Sequence, residues 1–576
     1  MTTPKTTRAT TRIRTVQDIE ALEQQAYETL IPSRNLYEVL AANAALHGER
    51  QALTVLRSAD PDDAAPSRTH AQLLADVTRA ANLFARLGAE RGTVITLLSR
   101  THEQIPALIW GAEVAGVANC INYLLSADVI ATLLNAEKAE ILVCPGPDLD
   151  TEIWKKVRAV VAATPSLRTV LVIGEVPEAL DPSVYRSFAE EWHQVDGDTL
   201  RVALPGPDDR AALFHTGGTT GVPKLVPQTH RNQIHAAWCL SQAFDLSETD
   251  VGLNGFPLFH VGGTSTVGLS VLAAAGHLVM LSPDGFRNPG IVKNIWALVE
   301  HYGATVMGGV PTTIGAIADV PVAGRDLSTL RFVLTGGASL TRSDARRFEQ
   351  CAGVPLLEQY GMTETVAAIA ATPLHGEHVR GSVGLRGPFS ELKVRKLGKE
   401  NEGVDCPPGE IGSVLVKGAQ VVSGYLDPAH TREAFTEDGF LITGDVGYLD
   451  DNQYLHLTGR EKDLIIRSGH NIDPLAIEEV ANAHPDVLVS AAVGMPDDYA
   501  GEVPVIFLAV NDPERFDAAA FQQYMKDHVH EPPANPKHVF VLDEIPVTGV
   551  GKIFKPTLRE LAAEHKKRLA AAPSKR

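Results

Sequence analysis

The chain has 576 residues, too many for a single hydrophobic core, and therefore predicts two or more domains. Its 44% hydrophobic and 21% charged residues are ordinary for a globular protein, and a net charge of −19 argues against a general nucleic-acid-binding protein. No apolar run is long enough to cross a bilayer, since the best, Val271–Leu281, is interrupted by Gly276 and His277. The five cysteines are dispersed without a CxxC pair, which favours free thiols in a reducing, cytoplasmic setting and argues against a zinc site.

Strands alternate with helices along the first 360 residues, beginning with a helix and a strand over Asn35–Leu56. Such alternation predicts βαβ units and a largely parallel sheet, whose carboxyl edge is where open α/β folds bind ligands. The further predicted helices are His70–Leu87, Glu103–Ala115, Ser126–Ala136, Gln233–Phe244, Ser265–Ala274 and Ser343–Cys351. The further predicted strands are Gly92–Leu98, Gly116–Asn122, Ala139–Val143, Val170–Ile173, His277–Leu281, Phe332–Thr335 and Pro355–Gln359.

The sequence changes in character at about Gly381, where short strands with Gly/Pro turns predict a small β-rich subdomain. Gly459–Gly469 is charged and bounded by glycines, which predicts a hinge. The residues after it predict a compact α+β domain, with helices over Pro474–Ala483 and Ala518–Val529 and strands over Val487–Val493, Pro504–Val510 and Val539–Leu542.

We therefore expect an α/β fold: a large N-terminal domain of two βαβ-type subdomains plus a small β-rich subdomain, followed by a small mobile α+β C-terminal domain. The expected limits are 31–460 and 461–565, with a basic tail over 566–576. Residues 1–30 are expected to form a disordered arm, because the first fifteen carry four basic side chains and no apolar segment; an organelle transit peptide is the alternative.

The most informative stretch is Phe214–Asn232, FHTGGTTGVPKLVPQTHRN. Glycines let a backbone approach a ligand closely, successive N–H groups in such a turn form an anion-binding concavity, and a lysine behind it suits phosphate. The spacing is not that of a Walker A loop, because two residues separate the last glycine from the lysine. A Gly/Thr-rich turn with a solvated lysine is the alternative interpretation. The residues expected to bind phosphate are Thr216, Gly217, Gly218, Thr219, Thr220, Gly221 and Lys224.

Six further strings follow this loop in one order: PLFHVGG, LTGGASL, EQYGMTE, ITGD, GREKDLIIRSGHNIDP and PVTGVGKI. With them the chain resembles the AMP-forming adenylating superfamily of acyl-CoA synthetases, aryl-CoA ligases, peptide-synthetase adenylation domains and luciferases, from roughly Leu36 to Arg559. The resemblance implies two half-reactions. A carboxylate attacks the α-phosphate of Mg-ATP to give acyl-AMP and pyrophosphate, and a thiol, usually that of coenzyme A, then displaces AMP.

The resemblance also implies roles for single residues. Lys552 matches the adenylation lysine, a cation that would reduce the repulsion between the acid and the phosphate; a surface lysine is the alternative. Glu364 would bind Mg²⁺, Thr363 would hydrogen-bond the α-phosphate, and His260 would lie beside the acyl carboxylate.

A second group of residues would hold the nucleotide and coenzyme A. Asp445 and Arg460 resemble the ribose-hydroxyl pair, for which a surface ion pair is the alternative. Lys462 matches the hinge, and rotation there would bring the loop at Gly469 towards the pantetheine arm. The residues matching the adenine slot and its strand end are Gly337, Ala338, Ser339, Glu358, Gln359, Tyr360, Gly361 and Met362; Tyr360 would offer a stacking face, or else be a buried core tyrosine.

The sequence departs from the family pattern at two positions of the glycine-rich loop. His215 and Gly217 stand where hydroxyl residues are common, so one hydroxyl donor to phosphate is lost.

The acyl pocket implied by the resemblance is mostly apolar, has no Lys or Arg to pair a second carboxylate, and contains glycines that would leave room. It favours an uncharged fatty, alicyclic or arylalkanoic acid, with free coenzyme A as acceptor. Loading of a separate carrier protein and an inactive nucleotide-binding homologue are the alternatives, and a homodimer is left open. The pocket residues are His235, Trp238, Val261, Thr264, Gly308, Gly309 and Val310.

Overall fold

The computed structural model describes residues 11–216, 223–338, 340, 342–398, 403–468, 470–529, 531–548 and 552–571. Its α-helices, in chain order, are α1 (Val16–Glu23), α2 (Tyr27–Leu30), α3 (Leu36–His47), α4 (His70–Arg86), α5 (Ile105–Ala115), α6 (Ala127–Glu137), α7 (Thr151–Ala163), α8 (Phe188–His193), α9 (His230–Ala243), α10 (Ser270–Ala273), α11 (Pro289–Lys293), α12 (Ile295–Tyr302), α13 (Pro311–Ala318), α14 (Arg342–Ala352), α15 (Pro428–Ala434), α16 (Pro474–Asn482), α17 (Ala518–His528) and α18 (Lys555–Ala571).

The first two thirds of the chain build two mostly parallel sheets with a shared core between them. The strands are β1 (Gln51–Val55), β2 (Ser67–Thr69), β3 (Val94–Leu97), β4 (Val117–Cys120), β5 (Ile141–Pro145), β6 (Thr169–Ile173), β7 (Tyr185–Ser187), β8 (Arg210–His215), β9 (Leu225–Thr229), β10 (Val251–Asn254), β11 (His277–Met280), β12 (Val306–Gly309), β13 (Phe332–Gly336), β14 (Leu356–Tyr360), β15 (Ala370–Ala371) and β16 (Leu385–Arg386).

A seven-stranded sheet runs β7-β6-β5-β3-β4-β8-β9, parallel except for β8–β9. A nine-stranded sheet runs β16-β15-β14-β13-β12-β10-β11-β1-β2, with six parallel strands from β14 to β1. The central strands are buried along their whole length, as parallel sheets covered by helices on both faces require. The predicted βαβ architecture is confirmed.

Two smaller sheets follow. The β-rich subdomain is a four-stranded antiparallel sheet in which neighbouring strands also follow one another along the chain. The strands are β17 (Ser390–Arg395), β18 (Gly412–Gly418), β19 (Leu441–Leu449) and β20 (Leu455–Arg460). The C-terminal unit has a second sheet with its own apolar clusters on either face, ordered β22-β21-β24-β23, with β25 on β24. Its strands are β21 (Ile465–Arg467), β22 (His470–Ile472), β23 (Val487–Asp497), β24 (Gly501–Val510) and β25 (His538–Val541).

The expectation of a disordered arm over residues 1–30 is wrong for the part of it that the structure describes. Thr15 caps α1, and Ile19 and Leu22 are buried in an apolar cluster with Leu385 and Tyr454. A salt bridge from Glu23 to Arg386 adds an ionic contact. The apolar spacing of this short segment gives it a face to bury, which outweighs its charged N-terminal neighbours.

The segment predicted as one helix over Ser265–Ala274 has two parts. Gly262–Leu269 forms a π-helix, and α10 continues it. Gly268 has no room for a side chain, because its Cβ would meet the carbonyl oxygen of Gly263 at 2.5 Å. In the described part of the chain, no helix combines the length and the apolar content that crossing a membrane demands.

Candidate active site

Thr216 and Lys224, the residues on either side of the glycine-rich loop, lie between the end of β8 and the start of β9. Thr216 donates its N–H to the carbonyl of Lys224 at 2.9 Å, and its hydroxyl accepts from the N–H of Lys224 at 3.3 Å. Next to it, Nε2 of His215 accepts from the N–H of Asn122 at 3.0 Å, and burial lowers the pKa of His215 to about 4. His215 is therefore a neutral anchor for the loop. Gly217, Gly218, Thr219, Thr220 and Gly221 lie outside the described residues.

Glu364 lies in a short 3₁₀ turn, Thr363–Thr365, and is 4% exposed. Burial raises the pKa of its carboxyl group, and the hydroxyl of Tyr425 donates to its Oε1 at 2.5 Å. The ammonium of Lys224 lies 4.9 Å from the centre of the Tyr425 ring. One tyrosine thus separates the predicted phosphate lysine from the predicted metal carboxylate. The sequence analysis missed Tyr425, since nothing in the spacing links residue 425 to residue 364.

The donor set around Glu364 suits a magnesium ion bound together with phosphates. Among the described residues, no group of three or more His, Cys, Asp or Glu side chains could hold a metal by itself. Mg²⁺ usually uses one or two carboxylates and takes its other ligands from water and substrate phosphates. A single buried carboxylate near Lys224 fits that pattern.

The predicted ribose pair is formed by facing residues of β19 and β20. Nε of Arg460 lies 3.0 Å from Oδ1 of Asp445, and the hydroxyl of Tyr360 donates to Oδ2 of Asp445 at 2.5 Å. The ring of Tyr360 packs in an apolar cluster with Ile369 and Val414, as the buried-core alternative describes. The buried Tyr360 therefore orients the Asp445 carboxylate through this hydrogen bond.

Lys552 reaches this site from the C-terminal unit. Its backbone is fixed by Thr548, whose N–H donates to the Lys552 carbonyl at 2.7 Å and whose hydroxyl accepts from the Lys552 N–H at 3.2 Å. Its side chain lies against Gly337, where a Cβ would be 3.0 Å from Cε and 3.3 Å from Nζ. The pKa of Lys552 is lowered to about 8, mainly by burial and in addition by repulsion from Arg460, while Asp445 opposes the shift.

His260 stands just before the π-helix, near Lys552. Its Nδ1 accepts from the N–H of Gly262 at 3.0 Å, so a neutral ring carries its proton on Nε2. The pKa of His260 is lowered to about 3, mainly by burial and in addition by repulsion from Lys552 and His215. The ring is therefore a neutral donor at physiological pH.

The predicted adenine-slot residues follow β13 and β14. Ala338 is exposed beside Gly337, whereas burial raises the pKa of Glu358 to about 7. The side-chain amide of Gln359 donates to the carbonyl of Ala367 and accepts from Thr266. Its hydrogen bonds are therefore made to buried protein groups. Gly361 has no room for a side chain because of Ala367. Met362 is half-buried beside the β-rich cluster, and Ser339 lies outside the described residues.

Two of the predicted pocket residues lie in the packed interior of α9. His235 is fully buried, with Nδ1 3.2 Å from the hydroxyl of Tyr27 and Nε2 3.4 Å from the sulfur of Cys239. Trp238 is also buried, and its indole nitrogen has no hydrogen-bond partner within the described ranges. The N-terminal arm, which was expected to be disordered, therefore reaches the helix after the glycine-rich loop.

The room expected at Gly308 is already filled. A Cβ there would lie 2.9 Å from Cε2 of Phe256 and 2.9 Å from Cγ2 of Val267. Gly309 is similarly close to Ile314 and Thr313. The glycines allow neighbouring side chains to approach the strand end, and they do not by themselves leave an open space. The other pocket residues, Val261, Thr264 and Val310, are buried around the π-helix and the start of α13.

The predicted hinge joins the two units. Gly459 has φ +138°, and a Cβ there would lie 3.1 Å from Oδ1 of Asp473. Lys462 lies exposed in the next turn, and its carbonyl accepts from Arg559 at 3.2 Å. Arg559 also pairs with Asp463, which connects this turn to α18. Gly469 lies outside the described residues.

Two family models match the chain: the AMP-binding enzyme model over residues 40–426 and the AMP-binding enzyme C-terminal domain model over residues 476–552. A marinolic acid–CoA ligase of Pseudoalteromonas sp. (strain SANK 73390) is 33% identical over 95% of this chain and 84% of its own length. A sulfoacetate–CoA ligase of Cupriavidus necator is 31% identical over 85% of this chain and 92% of its own. The crystal structure of ATP-bound MatB from Rhodopseudomonas palustris superposes with a TM-score of 0.80 at 26% identity, covering 92% of this chain and 98% of that one.

Proposed function

We propose that this chain, which belongs to the AMP-binding enzyme family and is an ATP-dependent, AMP-forming acyl-CoA synthetase, activates an uncharged hydrophobic carboxylic acid and transfers it to coenzyme A. The observation that carries the proposed mechanism is the position of Lys552. It comes from the C-terminal unit and lies against Gly337, within electrostatic reach of Asp445 and Arg460.

In the first half-reaction, an oxygen of the acid forms a bond to the α-phosphorus of ATP. The bond from that phosphorus to the bridging oxygen breaks, and its electron pair leaves with pyrophosphate. Two anions must meet, and Lys552 supplies a positive charge where they do, since a pKa of about 8 leaves it mostly protonated at pH 7. Positioning and electrostatic stabilisation account for most of the catalysis of such a transfer.

The remaining residues hold the nucleotide. We assign the phosphates to Thr216, Lys224 and the loop between them, and the ribose hydroxyls to Asp445 with Arg460. Glu364 would hold Mg²⁺, which supplies charge neutralisation at the phosphates when bound. Tyr360 and Tyr425 keep the two carboxylates in place through hydrogen bonds of 2.5 Å each.

In the second half-reaction, the thiol of coenzyme A gives up its proton to solvent and its sulfur forms a bond to the acyl carbon. The bond from that carbon to the phosphate oxygen of AMP breaks, and AMP leaves with the electron pair. Lys552 has no part in this step, so we propose that rotation about the turn at Lys462 withdraws it and presents the loop at Gly469. The neutral His260, with its proton on Nε2, lies beside the acyl carboxylate in this proposal and borders the path of the thiol.

The proposed acid class follows from the pocket lining. Val261 and Val310 are buried and apolar, and Phe256 packs over Gly308. None of the proposed lining residues is a lysine or arginine that could pair a second acidic group. The relatives' names cover acids as different as marinolic acid and sulfoacetate, so the family alone does not select the acid.

A panel of acids tests the proposal. Pyrophosphate release is measured with fatty, alicyclic and arylalkanoic acids of graded length and with sulfoacetate, each with and without coenzyme A. We expect the best uncharged hydrophobic acid to exceed sulfoacetate in kcat/KM by about a hundredfold, because a buried unpaired charge is costly. A preference for sulfoacetate would refute the acid class, acyl-AMP without acyl-CoA would favour a carrier-protein acceptor, and no release with any acid would indicate an inactive homologue.

A further inference from the structure

A chain of buried polar side chains links the interior of the N-terminal domain to the turn that carries Glu364. Gln228 on β9 donates from Nε2 to the carbonyl of Thr363 at 3.0 Å. Gln233 on α9 donates from Nε2 to Oε1 of Glu113 on α5 at 3.0 Å, and lies 3.5 Å from Oε1 of Gln228. The three side chains are 0%, 2% and 3% exposed, in the order Gln228, Gln233 and Glu113. They come from three different elements and end at one backbone carbonyl.

The three side chains of this network, Gln228, Gln233 and Glu113, occupy buried positions that apolar side chains could fill. Burying an amide or a carboxyl is unfavourable unless its hydrogen bonds are made, and within the described residues Oε1 of Gln233 and Oε2 of Glu113 have no partner. The hydrogen bonds that are made fix the geometry of the groups they join. Among the residues that the structure describes, no cationic side chain pairs with Glu113, and burial raises its pKa to about 7. Within the described part of the chain, no ion pair therefore accounts for the network, and it contacts the site at the Thr363 carbonyl.

The backbone that follows the turn receiving this contact is strained. Immediately after the turn, Val366 has φ +49° and Ala367 has φ +67°, conformations that residues with a Cβ rarely adopt. Such strain persists only where surrounding contacts hold it in place, and it concentrates at functional sites. On the other side of the turn, the carbonyl of Glu364 accepts from the N–H of Val422 at 2.9 Å. Gln228 and Val422 thus hold two successive carbonyls of the turn that precedes the strained residues.

We propose that Gln228 is a positioning residue for adenylation: buttressed by Gln233 and Glu113, it fixes the Thr363–Glu364 turn so that Glu364 faces the ATP phosphates. This inference rests on the proposed function of Glu364 and Thr363. Gln228 touches no reacting atom in this assignment and acts through the carbonyl of Thr363 alone.

The test compares two buried amides that each donate to a backbone carbonyl. Gln228→Met removes the donor to Thr363 and keeps the volume. Asn43→Leu is the matched control, since Nδ2 of Asn43 donates to the carbonyl of Leu272 at 2.7 Å, away from the site. Both variants remove the side-chain donor to a backbone carbonyl, so both should lower the melting temperature. Glu113→Gln keeps an acceptor for Gln233 and Glu113→Leu does not.

Four measurements are made on the full chain: pyrophosphate exchange, thioester formation from supplied acyl-AMP, ATP binding by calorimetry without acid, and hydrogen exchange over residues 361–368. We expect Gln228→Met to lower kcat/KM for ATP about tenfold in exchange, to weaken ATP binding and to speed hydrogen exchange, with thioester formation within about twofold of wild type. Glu113→Leu should move the same values by less, whereas Glu113→Gln and Asn43→Leu should leave them near wild type.

The inference is rejected if Gln228→Met and Asn43→Leu give the same kcat/KM, ATP affinity and exchange rates, because the network would then contribute to stability alone. It is also rejected if Gln228→Met slows both half-reactions equally. A wild-type chain that adenylates no acid would refute the proposed function, but ATP binding and hydrogen exchange would still decide whether Gln228 holds the turn.

Discussion

The two sides of the site are held in different ways. On the sheet side, the predicted ribose and metal carboxylates each have a tyrosine partner: Tyr360 donates to Asp445 and Tyr425 donates to Glu364, both at 2.5 Å. On the opposite side, Lys552 is fixed through its backbone by Thr548, and its side chain rests against Gly337. On one side, Asp445 lies on a strand and Glu364 lies in the turn that follows another. On the other side, the C-terminal unit contributes the positive charge of Lys552.

This difference indicates that the two sides have different roles, one binding the nucleotide and the other acting in one half-reaction. A nucleotide site needs fixed donors and acceptors, which are provided here by the buried Tyr360 at the end of β14 and by the half-buried Tyr425 in the loop before α15. A charge needed for one half-reaction only is better placed where it can leave, and Lys552 follows a hinge marked by the positive φ of Gly459. We therefore expect changes at Lys552 to separate the half-reactions completely and changes on the sheet side to do so by smaller factors.

The largest effect is expected from Lys552→Ala. Without the ammonium group, the acid and the α-phosphate repel each other, and acyl-AMP formation should fall about a thousandfold or more. Thioester formation from supplied acyl-AMP should remain within a few-fold of wild type. Rapid-quench assays of the two half-reactions measure both rates.

Lys526→Ala is the control, since Lys526 is exposed on α17 of the same unit. It should leave both rates unchanged. Equal losses in the two half-reactions of Lys552→Ala would mean that the lysine does not act in one step only, and the comparison between the two sides would fail.

A smaller effect is expected from Tyr425→Phe. The change removes the donor to Oε1 of Glu364 but keeps the ring next to Lys224, so kcat/KM for Mg-ATP should fall about tenfold. The Mg²⁺ concentration for half-maximal adenylation should rise with it. Tyr37→Phe is matched to it, because Tyr37 loses a 2.9 Å hydrogen bond to Thr78 far from the site. If both variants behave alike, the hydroxyl at position 425 has no special role.

The sequence predicted the parts of the site that lie within continuous motifs. Asp445 and Arg460 were assigned as a pair from the motifs that carry the family resemblance, and they do face each other on adjacent strands. Tyr425 and Gln228 were not found, because they meet Glu364 and Thr363 across 61 and 135 residues, along paths that only the fold defines. Periodicity shows which face of an element is buried, but not which polar side chain another element will bring to it.

Two predictions from the sequence, the disordered arm and the open space at Gly308, were wrong for reasons that lie in the local surroundings of each segment. The arm was judged by its basic first residues, although Thr15, Ile19 and Leu22 already gave a capped apolar face over α1. Gly308 was taken to leave room, yet a glycine describes only its own backbone, and Phe256 and Val267 occupy the space beside it. In both cases the missing information was the identity of the neighbour.

The smallest effect is expected from pH, and it distinguishes the two sides without mutation. Since the pKa of Lys552 is lowered to about 8, the rate of adenylation should fall about fourfold between pH 7 and pH 8.5 as the lysine loses its proton, whereas thioester formation from supplied acyl-AMP should not follow that curve. Lys552→Arg keeps its charge over this range, so any adenylation it retains should not decline with that midpoint.

Stability should change in the opposite direction over a higher range of pH. The unfolded chain binds the Lys552 proton up to about pH 10.5 and the folded chain releases it near pH 8, so the unfolded state holds more protons between these values. The contribution of Lys552 to the free energy of unfolding therefore rises with pH across this window, and Lys552→Met should remove that slope. A wild-type chain that loses adenylation rate and gains stability as Lys552 deprotonates would show one buried charge that catalysis needs and folding does not. An adenylation rate that stays flat to pH 9.5 would show that the lysine keeps an ordinary pKa, and that the burial of its side chain against Gly337 is not the state in which the enzyme works.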